Sequence, residues 1–186
     1  MTITKLSTEN ITDWLDFFDN RAFADHQDWG TCYCTYYFQP KPENYGKARS
    51  KKRDYAVWLI QNGLMQGYMA YEDNRVIGWC NANDKTQFSR LMAKGQSKEQ
   101  PEEEKIKSVV CFLVEKQYRK SGVATALLEH VIADAREEGF AIIEAYPNKG
   151  SKSEYVNYHG AYEMYMRQGF SEYDDRGTLA VRKYLK

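Results

Sequence analysis

An α/β (α+β) fold, one domain built on a mixed sheet with helices on both faces, is what the sequence predicts, and three observations carry the prediction. The apolar run 108–114 is followed by a strongly amphipathic stretch and then by a second apolar run, 141–146. A strand-helix-strand order makes those two strands parallel by the right-handed crossover rule. Upstream, Gly67–Glu72 and residues 75–81 flank Asp73-Asn74, which is the turn chemistry of an antiparallel hairpin. The 186 residues suffice for one domain with a substantial core and fall short of two typical ones.

Taken in order, residues 3–6 form a short first strand. Ser7 and Thr8 then cap a helix carrying Ile11, Trp14, Leu15 and Phe18 on one face. A second helix is expected between Glu43 and Asn62, with Gly63 as its stop and Tyr55, Trp58 and Leu59 as its apolar face. Its basic stretch 47–53 reads as a solvated face in a chain with no net charge. After the hairpin, residues 84–105 are polar, with Gly95, Pro101 and three consecutive Glu, so they read as a long loop with one helical turn at Ser89–Ala93. Loops of this length often cover a site. The helix after strand 108–114 places Val123, Leu127, Leu128, Val131, Ile132 and Ala135 on one side and ends at Gly139. Residues 154–168 contain a short helix, and 178–185 read as a final strand.

Twenty-six basic and twenty-six acidic residues cancel, which argues against an extended nucleic-acid surface. No stretch approaches the roughly 18 apolar residues of a membrane span, and the N-terminus lacks the charged and apolar regions of a signal peptide, so a cytoplasmic protein is expected. Cys32 and Cys34 are two apart, and Cys80 and Cys111 sit in apolar runs. No disulfide framework and no zinc spacing follow, and no metal is expected.

The junction after strand 108–114 carries the chemistry. A strand that stops, a short loop with Arg119, Lys120 and Gly122, and a helix start leave several backbone N–H groups pointing into one concavity, which suits phosphate. It is not the nucleotide P-loop, because Lys-Ser precedes Gly122, and the G-x-G-x-x-G fingerprint is absent. Val114, Arg119, Gly122 and Ala124 fit V-x-x-x-x-R-x-x-G-x-A, and Tyr165, Gly169 and Phe170, with Ala161 before them, fit a later Y-x-x-x-G-F. Together, in this order and separation, the chain resembles the GNAT superfamily of N-acetyltransferases over most of its length.

The resemblance implies a GNAT-like, mainly antiparallel sheet with a parallel pair at the cofactor cleft. It also implies acetyl-CoA as cosubstrate, an amine of a small molecule or peptide as acceptor, and direct transfer in a ternary complex; dimers are frequent in the family. By the same resemblance, Arg119, Lys120, Ser121, Gly122, Val123, Ala124 and Thr125 hold the pyrophosphate. A backbone N–H of Leu113 or Val114 faces the carbonyl oxygen, and the strand edge 111–114 pairs with the pantetheine arm. Lys120 stands where the family often has Gly, and Lys116 where it often has Pro.

Tyr165 falls at the family's general-acid position, since a phenol stays protonated near neutrality and can return a proton to a thiolate. Glu144 interrupts the apolar run 141–145, where a carboxylate is costly unless it is paired or used. It is the candidate general base, with a structural salt bridge as the equal alternative and Glu115, His159 and Tyr158 as weaker ones. The segment 28–38, rich in aromatics with Trp29, Cys32 and Cys34, lines the acceptor pocket, belongs to the core or forms a dimer face; Cys32 as an acyl-carrying nucleophile has little support. Two rival readings are a non-catalytic acyl-CoA-binding sensor of the same fold and, more weakly, a nucleic-acid module using residues 47–53.

Overall fold

The computed structural model describes residues 1–39, 48–93, 104–150, 154–174 and 179–185. Seven strands, β1 (Thr2–Lys5), β2 (Gly67–Glu72), β3 (Arg75–Asp84), β4 (Ile106–Val114), β5 (Ile142–Ala145), β6 (Ser171–Asp174) and β7 (Ala180–Tyr184), form one sheet in the order β1-β2-β3-β4-β5-β7-β6. Every neighbouring pair is antiparallel except β4 with β5. The mixed sheet and its parallel pair are therefore as the sequence predicts.

The local reasons are those the sequence displays. Ser7 caps a single turn and completes a capping box with Asn10 before α1 (Ile11–Asn20) begins. The β2–β3 hairpin turns on Asp73 and Asn74, both left-handed at φ 49° and 59°, the backbone of a type I′ turn that matches strand twist. One helical turn, α3, spans Ser89–Ala93 as expected, while residues 94–103 of that predicted loop lie outside the described residues. All six residues expected on the apolar face of α4 (Val123–Glu137) are buried. At about 1.5–3 kcal/mol for each large side chain fully removed from water, that face is what fixes the helix to the sheet.

Helices cover both faces. One layer packs Trp14, Phe17 and Phe18 of α1, with Ala56, Leu59 and Ile60 of α2 (Arg49–Gln61), against Met69, Trp79 and Val110. The other packs α4 and Tyr165 of α5 (Tyr162–Arg167) against Tyr68, Cys80 and Val109. One expectation needs correction. Trp58 lies outside the core, half exposed and stacked on Tyr55 at 5.9 Å, because Ala56 and Ile60 take the inward face instead. The second helix, Arg49–Gln61, falls between Glu43 and Asn62 as expected, and residues 43–47 lie outside the described residues. Strand β6 was not expected at all: its residues are mostly exposed, and no alternating pattern marks it.

Candidate active site

The site begins where the parallel pair parts. β5 pairs with β4 only from Ile106 to Val109, so beyond that, among the described residues, the β4 edge has no strand partner on that side. The parting coincides with a bulge: Asn81 opposes Cys111 and Ala82 opposes Val109, which leaves Val110 as the extra residue of β4. Its carbonyl accepts the Nδ1–H of His159 at 2.8 Å.

Alternation then decides which backbone groups face the gap. Glu115 N–H bonds to Ile77 O on β3, so in the antiparallel register Leu113 also turns its N–H and C=O to β3. Phe112 and Val114 face the other way. Arg119 Nε, which donates to the Val114 carbonyl at 3.0 Å from that side, agrees. Of the two candidate oxygen donors, Val114 therefore presents its N–H to the cleft and Leu113 does not.

α4 turns its N-terminus toward the same gap. Its first helical bond runs from Ala126 N–H to Gly122 O, and no side chain caps it, so the N–H groups of Val123, Ala124 and Thr125 precede the hydrogen-bonded ladder. Gly122, the cap residue, is left-handed at φ 92°, and a Cβ placed on it would meet no protein atom within 4 Å. Lack of a side chain there serves backbone conformation and access from outside rather than packing. A cavity of about 470 Å³ opens onto this helix end, and Leu113, Val114, Arg119, Lys120, Gly122, Val123, Ala124 and Thr125 all line it. An open cradle in front of three N–H groups at the positive end of a helix fits the pyrophosphate of a coenzyme A thioester.

Two loop residues sit otherwise than expected. Ser121 does not line the cavity; its hydroxyl donates to Tyr118 O at 2.6 Å, which ties down the loop instead. Arg119 lines the cavity but spends three of its five N–H groups within the protein, on Val114 O and, in a fork, on both oxygens of Asp25 at 2.6 and 3.0 Å. The guanidinium holds the Asp25 carboxyl below the usual carboxylate range. Lys120 takes a left-handed backbone at φ 64°, the conformation that makes Gly common at its position.

Glu144 and Tyr165 are placed away from the cavity. The Glu144 carboxylate is 1 % exposed, 2.6 Å from Lys85 Nζ, 2.7 and 2.6 Å from Arg182 Nε and Nη2, and accepts the Tyr146 hydroxyl at 2.5 Å. That is the salt-bridge alternative: its lone pairs are spent on two cations and a phenol. Tyr165 is fully buried and donates its hydroxyl to His159 O at 2.7 Å. A Cβ on Gly160 would lie 2.9 Å from the Tyr165 ring, so the phenol packs directly behind the Gly160 backbone, which itself lines the cavity.

Of the segment 28–38 offered for the acceptor pocket, Trp29 lines the cavity, but sequence reasoning missed its neighbours on that wall. Ala22, Phe23 and His26 complete it, on a segment shaped by successive short-range bonds such as His26 N–H to Phe23 O and Trp29 N–H to His26 O. His26 Nε2 is 3.5 Å from Asp25 Oδ2, so the Arg119 fork and an imidazole meet on one carboxylate. Nothing periodic marks this stretch; the adjacent Asp25 and His26 were the only signal. None of the four cysteines lines the cavity, and all are free thiols, with Cys34 Sγ 3.6 Å from Cys111 Sγ.

His159 gives a pH test. Burial pushes its imidazole down to about 4 from an ordinary 6.5, so it is neutral in the fold with Nδ1–H on Val110 O and Nε2 accepting from Tyr37 Oη, 3.3 Å away. The unfolded chain binds this proton first, so the stability it contributes is complete above about pH 6.5 and is lost as pH falls toward 4. At 1.36 kcal/mol per unit the loss is roughly 3 kcal/mol. The carboxyls held low by ion pairs, Asp16, Asp25, Glu138 and Glu172, contribute their losses below that window. Urea unfolding of the wild type should weaken from pH 6.5 to 4; His159→Gln should be less stable at pH 7 and nearly flat across the same range.

A parted parallel pair beside an open helix N-terminus is the frame of an acyltransferase. The chain belongs to the acetyltransferase (GNAT) family, whose model matches residues 23–170. Among solved structures it is similar to the GNAT domain of S. lividans PAT, with a TM-score of 0.60 and 15% identity over 98% of this chain and 89% of that one. A ribosomal-protein-alanine N-acetyltransferase from Brucella melitensis gives 0.57 and 14% over all of both chains. The PaiA N-acetyltransferase from Thermoplasma acidophilum, in complex with coenzyme A, gives 0.55 and 14% over 99% of each. At such identities these likenesses show the fold. No curated protein matches the sequence.

Proposed function

We propose that this chain transfers an acetyl group from acetyl-CoA to an amine of a small molecule or peptide, directly and within a ternary complex in the cytoplasm. The observation that supports it best is convergence: the α4 N-terminus, the open left-handed Gly122 and the unpartnered β4 edge share one cavity. A relative of the same fold was obtained in complex with coenzyme A.

When bound, acetyl-CoA supplies the thioester carbon that the amine attacks. The N–H groups of Val123, Ala124 and Thr125 bind the pyrophosphate, and Lys120 and the remaining N–H groups of Arg119 add positive charge there. The Phe112 and Val114 edge pairs with the pantetheine arm, and an N–H on that edge faces the carbonyl oxygen as charge builds. Among the described residues that line the cavity, His26 is the imidazole, and Asp25 orients it to take the amine's proton. Glu144 and Tyr165 act in this reading through the sheet and the 157–161 segment rather than on the reactants.

The test couples binding to turnover. Calorimetry should show saturable acetyl-CoA binding, and a panel of amines should include one that releases free thiol with intersecting initial-rate lines. Parallel lines with an isolable acetyl-enzyme would replace direct transfer by a ping-pong route. Binding without amine-dependent thiol release would support a sensor.

A further inference from the structure

We infer that Tyr158, and not the motif tyrosine Tyr165, is the phenol that returns a proton to the departing thiolate. This rests on the transfer proposed above and names a catalytic residue for it.

The geometry separates the two phenols. Tyr158 lines the cavity together with Phe112, Leu113 and Val114 of the parted β4 edge and is 39 % exposed. Tyr165 is closed off behind Gly160, with its hydrogen donated to a carbonyl. To reach a reactant Tyr165 would have to give up that bond and pass the Gly160 backbone, whereas Tyr158 already lines the cavity.

What stands behind Tyr158 suits the role. Its ring lies against His159 with centroids 4.0 Å apart, and the Tyr37 hydroxyl is within hydrogen-bonding reach of its oxygen. Tyr37 in turn donates to His159 Nε2, whose lone pair is fixed there because Nδ1–H is held by Val110 O. A phenolate left at Tyr158 is therefore met by a hydroxyl that can turn toward it. Burial raises the Tyr158 phenol and the Tyr37 hydrogen bond opposes that rise, so the acid stays loaded at neutral pH yet its anion is supported. The titratable groups around it are Tyr36, Tyr37, His159, Cys32 and Cys111. Tyr37 and His159 are positioning residues.

The step balances. A nitrogen–carbon bond forms and the carbon–sulfur bond breaks with its electron pair on sulfur. The Tyr158 Oη proton goes to sulfur. The proton that His26 takes from the amine passes to solvent, which in turn reloads Tyr158, so amine and thioester become amide and thiol.

The experiment compares Tyr158→Phe with Tyr165→Phe, using acetyl-CoA with tyramine, spermidine and a trialanine peptide as acceptors. Tyr158→Phe should lower kcat about 100-fold or more, the usual worth of a placed general acid. Its acetyl-CoA affinity and urea midpoint should be unchanged, and the high-pH decline of kcat should disappear. Tyr165→Phe should keep kcat and its pH profile while losing stability. Turnover by the wild type that Tyr158→Phe leaves within twofold, or the two variants exchanging their effects, overturns the inference and leaves acetyl transfer standing. If the wild type binds acetyl-CoA and acetylates none of the three amines, the transfer reading fails and takes this inference with it.

Discussion

Replacing Glu144 by Ala should cost about 3–5 kcal/mol of folding stability, a large part of what holds a domain of this size together. A buried ion pair is weak evidence for stability as such, since desolvation offsets most of its attraction; removing one partner is a different matter. Lys85 is fully buried and Arg182 is 3 % exposed, and both lose the carboxylate they share. Desolvation already pulls the Lys85 amine down, opposed first by the Glu144 charge. In the variant that opposition is gone, so the Lys85 amine is pulled further below its unfolded value than in the wild type. The unfolded state then binds the extra proton, and the variant's stability should rise with pH. Glu144→Gln, which keeps an acceptor for Tyr146, should fall between wild type and Ala. Urea unfolding from pH 6 to 9 checks both. A Glu144→Ala protein of wild-type stability that binds acetyl-CoA but has lost turnover would return Glu144 to the role of base.

The contrast between Glu144 and α4 shows what a single sequence discloses. The α4 face was readable because burial repeats at helical spacing within one element, and every residue named on it is buried. The hairpin was readable because Asp73-Asn74 suits a left-handed turn locally. Gly122 and the helix start after it were readable for the same reason: the cradle is made by consecutive residues. Glu144 was visible as an anomaly, but its two cationic partners stand 59 and 38 residues away, and nothing local names them. Arg119 likewise meets Asp25 across 94 residues, which is why a phosphate ligand and a loop clasp look alike in sequence. The β4 bulge at Val110 has no residue signature, yet it decides where the sheet parts and which of Leu113 and Val114 can donate. Tyr165 satisfies a motif, while its burial depends on how the Gly160 backbone closes over it. Periodicity reports faces; it does not report which face a distant loop will cover.

Gly122→Glu should weaken acetyl-CoA binding at least about 100-fold, equivalent to roughly 2.7 kcal/mol, while leaving the protein folded. The two halves of that expectation have separate causes. A side chain at φ 92° is strained by about 1–2 kcal/mol, but a Cβ there meets no atom of the described residues within 4 Å, so its first carbon displaces nothing in them. A carboxylate at the cap of α4 is moreover favourable to the helix by about 0.3–1 kcal/mol, which offsets part of the strain. The same position is ruinous for an anionic ligand: the new chain occupies the cradle, and its charge faces the pyrophosphate across the N–H groups both would use. Gly122→Ala separates the terms, since it carries the backbone strain without the charge; it should lose similar stability and much less affinity. Calorimetric titration with acetyl-CoA, set beside urea unfolding of all three proteins, reads both quantities. If Gly122→Glu is folded and binds acetyl-CoA as the wild type does, the pyrophosphate does not sit at the α4 N-terminus. The 470 Å³ cavity would then need another occupant. If binding falls in step with charge rather than with size, as Gly122→Gln compared with Gly122→Glu would show, the helix end acts as an electrostatic site and not merely as a gap of the right shape.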